Sequence, residues 1–115
     1  MADLSDLQKK VVAFRDARDW RQFHNPKDVA LSLVLEAAEL MEHFQWKTDI
    51  EIKKHLKVKN KEVSDELMDV LYWVLLFAHD LDINIQQEFE RKMVQNERKY
   101  PVSKAKGRHT KYNQL

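Results

Sequence analysis

Apolar residues recur at helical spacing along most of the chain, with almost no glycine or proline to interrupt them. From Ser5, a residue type suited to capping, Leu7, Val11 and Phe14 fall on one face of a predicted first helix. The pattern breaks at Asn25-Pro26, a turn signal in which Pro26 also suits the first turn of the next helix. That second helix is predicted over 26–45, and its stretch from Val29 to Met41 is apolar nearly all round, as in a buried helix. A connector follows over 47–60, with at most a short helical turn after Asp49. A third helix is predicted over 59–81, its core stripe formed by Val63, Leu67, Val70, Leu71, Val74 and Ala78. A fourth is predicted over 85–99, stopped by Pro101. The remaining residues have few apolar positions and are predicted to be extended or partly disordered. The expectation is an all-α fold of four main helices, with a helical domain over 1–100 and a basic tail over 101–115 belonging to it.

Composition changes this picture mainly by exclusion. One glycine in 115 residues cannot supply a P-loop or a dinucleotide-binding turn, which need several at fixed spacing. The absence of cysteine excludes disulfides, thiolate nucleophiles and Cys-based zinc or iron–sulfur sites. It also agrees with a reducing compartment, and a cytoplasmic location is the expectation. The longest apolar run, Val70 to Ala78, is far below the roughly 20 residues of a membrane helix, so no membrane partner is expected. A formal net charge of +1 argues against a strongly basic nucleic-acid binder.

Two acidic pairs lie where acids are costly. Glu36 and Glu39 are three apart within the apolar second helix, hence about 60° apart in projection. Glu66 and Asp69 repeat the spacing beside the core stripe of the third helix. Four carboxylates in such settings repel one another and lose hydration, and a divalent cation relieves both costs. All-oxygen ligands favour Mg²⁺ or Mn²⁺. The bland reading is that pairs three apart arise by chance among 19 acidic residues and face solvent. A di-iron bundle is the natural competitor, but no histidine here follows a glutamate by three positions. His43 reads as a helix C-terminal residue interacting with the dipole.

Trp20 and Trp46 sit at helix ends in polar surroundings, where an indole either packs into the core or forms a wall for a stacked base. Trp73 follows Asp69 by four and shares its side of the helix. From Arg98 to Lys111 there are six Lys or Arg and no acid. This is a solvated terminus or a source of cations for phosphates, together with Lys92 and Asn96, which share a helix face.

Glu36-Ala-Ala-Glu39 and Glu66-Leu-Met-Asp69 resemble the paired acidic motifs of the MazG-like all-α nucleotide pyrophosphohydrolases. The stretches RDWRQFHNP, EAAELMEHFQWK, DELMDVL and KMVQNERKYPVSKAKG, in that order, are similar to the small branch typified by dCTP pyrophosphatases. The resemblance covers the chain from about Leu7 to Leu115. It implies an all-α fold in which Glu36, Glu39, Glu66 and Asp69 bind Mg²⁺ and a nucleoside triphosphate is the substrate. It further implies that Trp20 and Trp46 flank the base, that Lys92 and Asn96 contact phosphate or sugar, and that His24 and Tyr100 occupy family positions. It suggests a homotetramer built as a dimer of dimers, with pockets shared between subunits. Val11 and Trp73 stand where mammalian members of the branch carry histidine and tyrosine, so the base preference stays open. The longer connector of those members is also missing here.

The reaction expected on this reading is hydrolysis of a deoxynucleoside triphosphate, dCTP or a modified pyrimidine nucleotide, to monophosphate and pyrophosphate in nucleotide-pool sanitation. One carboxylate would take the proton of the attacking water, with Glu39 the favoured base. Two rival readings are a non-catalytic helical interaction module and a nucleic-acid binder using the basic tail. Neither accounts for paired acids within apolar helices.

Overall fold

The computed structural model describes residues Ala2–Leu115, which form helices and turns with no strand among them. The elements are α1 (Leu4–Ala17), a 3₁₀ turn (Arg21–Phe23), α2 (Pro26–Glu42), α3 (Asp49–Asp80), α4 (Ile85–Lys99), the short α5 (Val102–Ala105) and a 3₁₀ turn at Tyr112–Gln114.

Side-chain caps set most of these boundaries. Asp3, not Ser5, caps α1 by accepting from the Asp6 N–H, while the Asp6 side chain accepts from the Asp3 N–H. Asn25 caps α2 with Pro26 in its first turn, as the turn signal predicts. The helix ends at Glu42, three residues short of the predicted end, and Phe44 to Lys47 continue in hydrogen-bonded turns. Thr48 and Glu51 form a second reciprocal cap that starts α3 at Asp49, so the predicted connector is helical. The predicted start near Lys59 marks a break inside α3, where Lys59 has φ −113° and ψ 23°. The polar run of lysines hid this helix: its inward face is reduced to the half-buried Ile52, His55 and Leu56, with good helix formers behind a strong cap. Asn84 caps α4, which spans its predicted residues. Past α1 and α3, Asp19 (φ 55°) and Asp82 (φ 59°) adopt the left-handed turn that glycine usually fills. The 101–115 segment is not extended: it holds α5 and the second 3₁₀ turn. The Tyr112 ring meets Tyr100 edge-on at 6.1 Å, and the Lys99 ammonium lies 4.6 Å from its centre.

The chain divides into two compact units, Met1–Leu81 and Asp82–Leu115. In the first, α3 packs against both α1 and α2. The buried apolar side chains are Val29, Leu75, Leu76 and Ala78. The expected core stripe is therefore corrected, for Leu67 and Val74 are exposed while Leu75 and Leu76 point inward. Likewise α2 is not buried all round: Val29 is its buried residue, and Leu31, Val34, Leu35 and Met41 are exposed. The most enclosed polar side chain is Arg15, whose Nη1 donates to both oxygens of Asp80 at 2.8 and 2.7 Å. That pair, and Gln8 donating to the Leu75 carbonyl, tie α1 to the end of α3.

Candidate active site

The packing of α2 against α3 brings the acidic pairs together. One carboxylate oxygen from each of Glu36, Glu39 and Glu66 lies within 4.8 Å of the others. Glu36 and Glu66 are half-buried and Glu39 is exposed. One oxygen of Glu36 and one of Glu66 are buried without any hydrogen-bond partner. Burial pushes the Glu36 carboxyl up to about 7, helped by a hydrogen bond and charge from Glu39 and by the charges of Asp69 and Glu66. Glu66 is raised by burial first, then by hydrogen bonding to Glu39 and the charges of Glu39 and Asp69, with His43 opposing. Asp69 is exposed and stands outside the close trio, acting on it through charge.

No lysine or arginine forms an ion pair with these four acids among the described residues. Oxygen-only donors, buried oxygens without partners and uncompensated repulsion together fit a hard divalent cation. Glu36, Glu39 and Glu66 are the residues able to hold one, with Asp69 beside them.

A cavity of about 570 Å³ opens beside the trio, lined by Glu39, Glu42, His43, Lys47, His55 and Glu66. His43 is the C-cap of α2, its N–H reaching the Leu40 and Met41 carbonyls, so the helix-end reading holds for its backbone. Its ring has a further partner: Nδ1 lies 2.8 Å from Nε2 of His55. The His55 imidazole is held below its ordinary pKa by burial, then by Lys47, His43 and Lys59. This contact has no signal in the sequence, because His55 lies in the stretch that reads as a connector.

The expected aromatic and basic positions are distributed as follows. Trp20 opens the 3₁₀ turn after α1 with its ring edge-on to Phe14 at 5.8 Å, and it remains 42% exposed. Trp46 lies past the end of α2 and is 87% exposed. No ring contact joins it to Trp20 among the described residues. Trp73 meets His24 edge-on at 5.3 Å and Tyr72 at 5.2 Å. His24 keeps a buried Nδ1 without a partner, and burial, then the Arg15 charge, lowers its pKa. Lys92, Asn96 and Tyr100 belong to the second unit. There the Lys92 ammonium donates to Gln95, and Tyr100 closes α4.

The sequence profile of the MazG-like family matches residues 31–115. Over 114 residues the chain is 35% identical to dCTP pyrophosphatase 1 of Mus musculus, covering 97% of this chain and 67% of that protein. The Homo sapiens dCTP pyrophosphatase 1 gives the same identity and coverage. Among solved structures, a pyrophosphatase from Archaeoglobus fulgidus superposes with a TM-score of 0.80 at 38% identity, covering 88% of this chain and 94% of that one.

Proposed function

The chain belongs to the MazG-like family, and from that premise we propose that it hydrolyses a nucleoside triphosphate to the monophosphate and pyrophosphate. The observation that carries this reading is the trio of Glu36, Glu39 and Glu66, gathered from two helices with two buried oxygens unpartnered. The mammalian relatives above are named for dCTP, and the substrate proposed for this chain is dCTP or a modified pyrimidine nucleotide. Val11 and Trp73 are the positions to examine for base preference.

Glu36, Glu39 and Glu66, with Asp69 alongside, would hold Mg²⁺ or Mn²⁺. Such a cation supplies positive charge against phosphate oxygens where charge builds up in the reaction. Glu39 is the most accessible of the trio and is the base proposed to take the proton of a water attacking the α-phosphorus. The exposed faces of Trp20 and Trp46 suit a stacked base. Lys92, Asn96 and Tyr100, with His24 and Trp73, complete the proposed substrate-binding set, Lys92 offsetting phosphate charge. A homo-oligomer, a tetramer formed from two dimers, is the proposed assembly.

Chromatographic analysis of products from a nucleoside triphosphate and Mg²⁺ tests the reaction: monophosphate and pyrophosphate are expected, and orthophosphate released from the γ-position rejects it. Glu39→Gln should lower turnover at least about a hundredfold while leaving the far-ultraviolet circular dichroism unchanged. Retained activity would remove Glu39 from the chemistry.

A further inference from the structure

The 2.8 Å contact between His43 Nδ1 and His55 Nε2 restricts both rings. At that separation the shared line holds one proton, since two N–H groups cannot face each other. If His55 donates, the remaining proton of a neutral His43 sits on Nε2. If His43 donates, the remaining proton of a neutral His55 sits on Nδ1. Either way the neutral pair keeps one free N–H donor and one bare ring nitrogen. The rings come from the end of α2 and the first segment of α3, twelve residues apart, and both line the cavity beside the carboxylate trio. Lys47 adds an ammonium to the same cavity.

The lining of this cavity thus combines carboxylates suited to a cation with one free imidazole N–H and the Lys47 ammonium, which suit oxygen anions. Its volume of about 570 Å³ falls within the roughly 300–1,000 Å³ of small-molecule sites. Glu39, Glu42 and Glu66 would repel a phosphate on their own, so an anion here is compatible with the acids only beside a divalent cation. The His43 backbone closes α2 without its ring, and the two rings lie beside Phe44, with centroids 6.2 and 6.3 Å from it.

We infer that His43 and His55, with Lys47, form the subsite that grips the pyrophosphate end of the substrate and holds pyrophosphate as product. This rests on the hydrolase reading given above and adds residues from α2 and the first segment of α3 to the phosphate-binding set.

Calorimetric binding of inorganic pyrophosphate in the presence of Mg²⁺ tests the subsite without requiring turnover. The unsubstituted protein should bind it. Binding of a nucleoside monophosphate by His55→Ala and Lys47→Ala should stay within about twofold, because that product lies away from the pair. His43→Asn, which keeps an N–H donor at the helix end, should lose less than His43→Ala. Thermal melting of each variant confirms folding. Pyrophosphate binding unchanged in folded His55→Ala and Lys47→Ala overturns the inference, as does a parallel loss of monophosphate binding or no pyrophosphate binding by the unsubstituted protein. Absent nucleotide turnover with pyrophosphate binding still dependent on His55 would defeat the hydrolase reading and leave the anion subsite standing.

Discussion

At the scale of single residues, the site is a place where the fold opposes its own charges. Glu36 holds its proton up to about pH 7, against an ordinary value of 4.5. The folded chain therefore binds that proton more tightly than the unfolded chain. The resulting stabilisation is complete below about pH 4.5 and is lost as pH rises through about 7. In the metal-free protein the melting temperature should fall across that window, and Glu36→Gln should flatten the fall. A divalent cation must displace the same proton, so titration near pH 6 in buffers of different ionisation enthalpy should show about one proton released per cation bound. No proton release would remove Glu36 from the metal set. Arg15 is the opposite case, a buried charge whose Nε and Nη1 are paired with Asp16 and Asp80, although its Nη2 is buried without a partner. Arg15→Ala would leave the largely enclosed Asp80 without its bidentate partner, at an expected loss of about 3–5 kcal/mol by urea denaturation. The double change Arg15→Met with Asp80→Leu should recover much of that loss.

At the scale of elements, turn signals and periodicity were legible because they act locally, whereas the cap of α1 was not: Asp3 caps it and Ser5 does not. Asn25-Pro26 marked the start of α2, and α4 occupies the residues its periodicity predicted. The first part of α3 was missed for a physical reason. It is held by the Thr48–Glu51 cap, by lysine-rich helix propensity and by a short inward face of half-buried Ile52 and Leu56. Thr48→Ala should therefore cost about 1 kcal/mol, within the range for losing such a cap. Because His55 rides on this segment, the same change should weaken pyrophosphate binding more than it affects the helix content read by circular dichroism. The tail was misread for a related reason, since two tyrosines and one lysine order it where apolar content would not.

At the scale of the whole molecule, the apolar surface of α2 remains to be explained. Leu31, Val34 and Leu35, at i, i+3 and i+4, are 54%, 62% and 56% exposed. A stripe of this kind on one helix face fits the proposed assembly. It is where a second copy would bury the residues that read as core in the sequence. Light scattering should give a mass above that of the 13.8 kDa chain, and Val34→Glu should shift the population toward monomer. A monomeric parent protein would refute the proposed assembly. Among the described residues no helix is long and apolar enough to cross a membrane, which agrees with the short apolar runs of the sequence.

The sequence by itself determined the all-α class, the turn that opens α2, the span of α4, and the two acidic pairs, because each depends on residues within one or two turns of one another. It also narrowed the means of holding phosphate, since one glycine leaves side chains and a cation in place of a backbone cradle. Only the tertiary structure decided that Glu36, Glu39 and Glu66 converge while Asp69 stands aside, and that His43 meets His55. Those relations depend on how α2 lies along α3, and no local spacing encodes that placement. The direction of the apolar faces was settled at the same level. Periodicity reports that a face is apolar, but packing decides whether the chain's own core or another surface covers it.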